Sequence, residues 1–242
     1  MTPPPDSSPD ASSGRVKLLG LETSSPLFSV AVSDGPAILA CEQVQGQGRP
    51  SALLTDLIEQ ALEKAGFPLS GLDGLAISIG PGSFTGLRVG VMTIKALAWA
   101  LQKPALPVSS LEVIAWNLQR GASNVHPFLD ARKGNVYMAH FQRSGDGSLE
   151  RLSADELLRP EQALQRINLP AVLAGDGLRR YATQVAAMDL RGVELAPEDL
   201  WIPRADRLCQ IAHSRWPAGI VDDPHRLVPQ YLYTQESDIT GR

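Results

Sequence analysis

The chain has 242 residues, 43% of them hydrophobic, and sets 22 Lys and Arg against 26 Asp and Glu for a formal net charge of −4. That is core enough for one large domain or two small ones, and so mild an acidity argues against a chain that grips nucleic acid by its own charge. Cys41 and Cys209 stand alone, which argues against a disulfide framework; with no charge-free apolar run of spanning length and no basic, hydrophobic leader, the expected compartment is the cytoplasm.

Residues 1–14 are rich in Pro, Ser and Asp, with little to bury, and are expected to form a disordered tail. Order begins with a short apolar strand at 16–21. The polar turn Glu22-Thr23-Ser24-Ser25 follows, then strands at 27–32 and 37–44 joined by the hairpin signal Asp34-Gly35. Pro50 and Ser51 open a helix to about residue 65, whose apolar residues (among them Leu53, Leu54, Leu57, Ile58 and Ala61) cover close to half its circumference. Residues 75–79 are a buried strand. Gly80-Pro81-Gly82 continues neither strand nor helix, and Ser83 or Thr85 caps a helix reaching about residue 101. A strand at 105–108 and a helix at 111–120 close the first block. The order then restarts, with strands at 126–130 and 136–143 around a turn at 131–135, and a helix at 157–167. A strand at 171–174, the tight turn Gly175-Asp176-Gly177, a segment at 178–188, a helix at 204–216 and an extended tail at 228–233 complete it. The reading is an α/β chain of two similar lobes around a cleft, residues 15–109 and 110–242, the second reduced.

The helix after the glycine-rich turn is apolar on nearly all sides. Leu87, Val91, Ile94, Ala98 and Leu101 form a stripe wide enough to cover a sheet. A second stripe of small or β-branched residues, Val89, Thr93, Ala96 and Ala100, lies roughly opposite, bordered by Met92 and Trp99. Two readings stay open: a central helix covered on both faces by its own chain, or one face on the sheet and the other awaiting a partner.

Candidate chemistry is sparse. Glu22 and Asp130 sit at corresponding strand ends of the two blocks, where paired carboxylates could orient water or a metal–phosphate. Equally, each could stabilise its own turn. The segment Gly80 to Gly86 is neither a Walker A loop nor a dinucleotide fingerprint, and Ser83 lacks a nucleophile elbow. His126, His140, His213 and His225 include no pair at helical spacing, so no metal ligand set is legible.

Three segments together resemble the bacterial TsaB (YeaZ) family: Leu18-Leu19-Gly20-Leu21-Glu22-Thr23-Ser24-Ser25, Gly80-Pro81-Gly82-Ser83-Phe84-Thr85-Gly86-Leu87-Arg88-Val89-Gly90, and Leu129-Asp130-Ala131-Arg132-Lys133-Gly134-Asn135-Val136-Tyr137. The resemblance spans about residues 16–233 and implies a two-lobed actin/Hsp70/sugar-kinase-like fold. It implies membership of the machinery that places threonylcarbamoyl on the adenosine 3′ of the anticodon in tRNAs reading codons that begin with A. In that machinery the paralogue TsaD carries metal and transferase site, the ATPase TsaE joins the pair, and TsaB-like chains act as catalytically silent, dimerising scaffolds. The resemblance therefore implies no catalytic residue, metal or cofactor of this chain's own, ATP and a metal being expected in the partner subunits. It implies tRNA contact only through the complex, and leaves open whether the isolated chain pairs with itself. It makes Glu22, Thr23, Gly82, Ser83, Asp130, Gly175 and Asp176 a vestigial cleft. It places the partner contact on the first two helices, hence on Leu53, Leu57, Val89, Met92, Thr93, Ala96, Trp99 and Ala100. Glu22 stands where the family usually has Asp. An active phosphotransferase of the same fold, using Glu22 and Asp130, is the first rival, and a metallopeptidase the second.

Overall fold

A computed structural model describes residues 15–46, 50–118, 123–187, 191–216 and 224–233; the expected tail at 1–14 lies outside them. The first lobe is a five-stranded sheet of β1 (Lys17–Glu22), β2 (Leu27–Asp34), β3 (Ala37–Gln45), β4 (Gly74–Gly80) and β5 (Ala105–Ser109), in the order β3-β2-β1-β4-β5. β1, β2 and β3 are antiparallel neighbours, whereas β4 runs parallel to both β1 and β5. Alternation sorts the side chains. Leu19, Leu21, Val30, Val32, Leu75 and Ile77 point to the face covered by α1 (Pro50–Ala65) and α2 (Phe84–Leu101). The intervening Leu18, Ala31 and Ala76 face the other way, onto α7 (Ala205–Arg215). That helix comes from the far end of the sequence, so the chain does not divide once near residue 110 as its sequence implies; it crosses to the second lobe and returns.

The second sheet repeats the order of the first. β6 (Asn124–Arg132) and β7 (Asn135–Met138) are antiparallel, as are β7 and β10 (Glu156–Leu158), while β11 (Ala171–Ala174) and β12 (Val193–Leu195) continue parallel on the other side of β6. Two further short strands, β8 (Phe141–Arg143) and β9 (Leu149–Arg151), extend from the start of β6. Several expectations are corrected here. The single strand at 136–143 breaks at Ala139 and His140 into β7 and β8. The helix at 157–167 is a strand followed by α4 (Pro160–Gln165), because Pro160 starts a helix and disfavours helical backbone at the residue before it. Of the segment at 178–188, the described part holds two short helices, α5 (Gly177–Arg180) and α6 (Ala182–Ala186), and the helix expected at 111–120 is described as α3 (Ser110–Asn117); residues 119, 120 and 188 lie outside the described ones.

α3 joins the lobes and belongs to both cores, with Leu111, Ile114 and Ala115 facing the second lobe and Val113 the first. On it the buried Glu112 pairs with Arg215 of α7 and, at 3.6 Å, with Arg151 of β9.

The structure brings together two histidines that the sequence leaves scattered. His126, fully buried in β6, stacks on His140 with centroids 4.4 Å apart. His126 Nε2 accepts the Asn168 N–H at 3.3 Å. Burial first, and the neighbouring His140 second, push His126 down from 6.5 to about 4; burial also lowers His140. An unfolded chain takes up this proton near pH 6.5 and the folded chain only near 4, so the stability is complete above 6.5 and is lost as pH falls towards 4. Between pH 7.5 and 5 wild type should lose about 2 kcal/mol relative to His126→Gln in urea unfolding. Raised carboxyls at Glu22 and Asp176 act in the opposite sense, which is why the comparison is with the variant; parallel pH profiles would overturn it.

Candidate functional site

The cleft between the lobes holds a cavity of about 420 Å³. The loop after β1 supplies Ser24 and Ser25, the start of α2 supplies Gly82, Ser83 and Phe84, and the β6–β7 turn supplies Asp130, Arg132 and Lys133. Asp176 and Tyr233 close the remaining sides. Of the seven cleft residues read from the sequence, Gly82, Ser83, Asp130 and Asp176 line this cavity; Glu22, Thr23 and Gly175 do not.

The two carboxylates expected to face each other have different surroundings. Glu22 is fully buried beneath the loop, where its Oε1 accepts the Ser24 N–H at 2.6 Å and its Oε2 has no hydrogen-bond partner. Burial raises its pKa; the Ser24 and Ser78 hydroxyls pull the other way from nearby without reaching hydrogen-bond geometry. Asp130 is at the cavity wall and uses Oδ1 in the same way, accepting the N–H of Arg132 at 2.9 Å. Each carboxylate thus closes the turn two residues after itself. Asp130 in turn donates its own N–H to Asp176 Oδ1 at 2.9 Å. Burial raises Asp176, with the Asp130 charge adding to it and the Asp130 amide opposing. Tyr137, behind the turn, is pushed up to about 12 by burial, then by Tyr233 and Asp130.

The glycine-rich motif packs. Ser83 N–H donates to the Ser24 carbonyl at 2.7 Å, and the Ser83 hydroxyl caps α2 by accepting the Gly86 N–H at 3.3 Å. Gly82, Gly86 and Gly90 fall at successive turns against the β1 loop. A Cβ on any of them would come within 3.0 Å of Ser24 or Thr23, and at Gly82 and Gly86 the nearest atom is a backbone carbonyl. The motif lets a helix lie directly on a loop, and Ser110 ties it to α3 by donating to the Pro81 carbonyl.

α2 buries Gly86, Leu87, Gly90, Val91, Ile94 and Ala98, of which Val91, Ile94 and Ala98 pack in the first-lobe core and Gly86 and Gly90 lie against the β1 loop. By length and composition α2 could cross a membrane, but this side is packed. On the other side, the described residues leave much of the helix exposed. Met92 and Trp99 are 63% and 66% exposed, Ala96 and Ala100 are exposed, and Val89 and Thr93 are half-buried, with Thr93 Oγ1 donating to the Val89 carbonyl at 2.9 Å. On α1, Leu53 is half-buried, but Leu57 is 5% exposed and packs in the first-lobe core. Leu57 is therefore corrected from surface to core; the wide apolar arc of α1 is filled by the sheet. The sequence reading missed Ser25, Arg132, Lys133 and Tyr233 in the cavity wall. Of these, only the aromatic spacing of Tyr231 and Tyr233 was a usable signal.

Two sheets of one strand order, joined by a helix shared between their cores and enclosing a cleft at the strand ends, define a two-lobed actin/Hsp70/sugar-kinase-like fold. The sequence profile of TsaD, the tRNA N6-adenosine threonylcarbamoyltransferase, matches residues 49–192. The chain belongs to the TsaB (YeaZ) family, the TsaD-related branch of that fold. It is 30% identical over 190 residues to the tRNA threonylcarbamoyladenosine biosynthesis protein TsaB of Haemophilus influenzae, covering 74% of this chain and 79% of that protein. The TsaB of Escherichia coli K12 is 27% identical over 90% of this chain and 94% of its own length. YeaZ from Pseudomonas aeruginosa superposes with a TM-score of 0.77 at 30% identity, covering 90% of this chain and all of that one.

Proposed function

We propose that this chain is a non-catalytic scaffold subunit in the synthesis of threonylcarbamoyladenosine on tRNA. In this reading it modifies, as part of a complex, the adenosine 3′ of the anticodon in tRNAs that read codons beginning with A. Its partners are a TsaD-like paralogue, which it docks as a heterodimer, and a TsaE-like ATPase. ATP and the metal belong to those partners, and tRNA reaches this chain only through the complex. The observation that carries the reading is the uncovered face of α2, where Met92 and Trp99 flank the small residues Ala96 and Ala100. Small side chains let a second helix approach closely, and exposed large ones supply anchors. The use of Glu22, outside the cavity, and of Asp130, in its wall, as acceptors for their own turns supports the non-catalytic part.

The test is reconstitution with tRNA, threonine, bicarbonate and ATP, leaving this subunit out and putting it back. Modification should require it, while the chain alone should hydrolyse no ATP. The cavity walled by Asp130 and Asp176 favours one alternative, a phosphotransferase of the same fold. Glu22→Gln and Asp130→Asn separate the two, because both substitutions keep an acceptor for the turn. Each should leave reconstituted modification within about threefold of wild type, since loss of a catalytic carboxylate typically costs roughly 10²–10⁴-fold. A loss of that size with partner binding intact would favour the enzyme.

A further inference from the structure

Ten large apolar side chains are exposed among the described residues, and five of them, Phe84, Met92, Trp99, Val228 and Tyr231, belong to α2 and to the closing segment at 224–233. This segment is a strap. Leu227 is buried in the first-lobe core, and its carbonyl accepts from Lys95 Nζ of α2 at 3.2 Å. The Gln230 N–H donates to the Ile79 carbonyl at the end of β4 (2.8 Å), and Tyr231 packs on Phe84 with ring centroids 5.1 Å apart. The strap then crosses the cleft, where Leu232 and Tyr233 join the second-lobe core. The Tyr233 hydroxyl lies 2.9 and 3.0 Å from the Ala131 and Arg132 carbonyls, to one of which it donates, and accepts from Asn135 Nδ2 at 3.2 Å. It thereby holds a turn in which Arg132 and Lys133, neither a glycine, both have positive φ (64° and 48°). Such backbone persists only where its surroundings hold it.

We propose that the strap is the second half of the docking face and that a partner seated on α2 is felt in the cleft through Tyr233; this rests on the scaffold reading above. Its occupant is an apolar helical surface without basic residues on the paralogous transferase chain. α2 contains no acidic residue, Arg88 is exposed over the Phe84 ring at 5.2 Å, and the Lys95 ammonium is turned to the Leu227 carbonyl, so the face offers apolar area edged by positive charge and repels a basic surface. The hollow between Met92, Lys95, Ala96, Trp99 and Pro224 is continuous from helix to strap. An occupant there touches α2 and strap together, and whatever holds the strap down holds the 131–135 turn.

The experiment compares wild type, Tyr233→Phe and a chain ending at Leu227, each with the purified TsaD-like paralogue. Affinity is read by calorimetry, and backbone hydrogen exchange is followed at 131–135. Partner binding should slow exchange at 131–135 in wild type by roughly tenfold and should not do so in Tyr233→Phe, whose affinity stays within about threefold. Ending the chain at Leu227, which keeps the core residue, should weaken the partner by at least about tenfold. Equal slowing in wild type and Tyr233→Phe, or full affinity without the strap, overturns the proposal. A tight dimer of this chain alone, insensitive to the truncation, would also overturn it by giving the face to a second copy. If Ala96→Glu keeps full affinity, the scaffold docking site itself is wrong. The strap's hold on the cleft is then still decided by free-chain exchange, faster in Tyr233→Phe if the latch exists and equal if it does not.

Discussion

Ala96→Glu should yield a folded, soluble monomer that no longer binds the TsaD-like paralogue and no longer supports tRNA modification. Ala96 is exposed, midway between Met92 and Trp99 on the outer side of α2. In the free chain the new carboxylate stands in water on a helix that tolerates Glu well, so stability should change by less than about 0.5 kcal/mol. Between two packed helices the same carboxylate is stripped of water without a counter-charge. That costs about 3 kcal/mol or more of association, beyond a hundredfold in affinity. Size-exclusion chromatography with light scattering, alone and with the partner, reads the outcome directly. Normal assembly would move the interface away from α2.

Gly86→Ala should destabilise the chain by about 3 kcal/mol, lowering Tm by roughly 6–12 °C for a chain of this size. The sign is the informative part. At an unencumbered helical site, Gly to Ala stabilises by up to about 1 kcal/mol, because Ala loses less backbone freedom. At Gly86 the added methyl meets the Thr23 carbonyl, which belongs to a loop already fixed by the Glu22–Ser24 hydrogen bond and cannot give way cheaply. Urea unfolding at constant pH measures the difference. A variant as stable as wild type would show that the helix can lift from the loop, and that the glycines serve something other than packing.

The parts of the fold legible in the sequence are those where local pattern and tertiary role agree. Residues 75–101 give a buried strand, a turn that only glycine and proline suit, and a long helix, and all three are present as β4, the Gly80–Gly82 turn and α2. The restart of the element order was legible too, though not β10 and β12, which complete the second sheet. Illegible were elements too short to show a period, such as the three-residue strands β9, β10 and β12. Leu57 shows a second limit: the width of an apolar arc does not say how deeply a helix sits in its sheet. The cleft was half legible. Asp130 and Asp176 are conspicuous carboxylates at strand ends, but Tyr233 reaches the Ala131 carbonyl across 102 positions of sequence, and nothing local to either residue announces the contact. Glu22 was legible as a charge and not as a buried one, because its burial is set by the loop after β1 and by Ser78 of β4, more than fifty positions away.

The return of α7 to the first sheet bears on the order in which the protein is made. Leu18, Ala31 and Ala76 lie on a sheet face covered by Leu208, Cys209, Ile211 and Ala212 of α7 together with Val113 of α3, and α7 is synthesised well after the sheet. Until then the nascent first lobe carries a bare apolar surface, the kind of exposure on which chaperones act and from which aggregation begins. A chain that stops before Ala205 would therefore be a sticky product rather than a small folded domain. Helix α7, which lines none of the cleft cavity, decides whether the first sheet stays soluble.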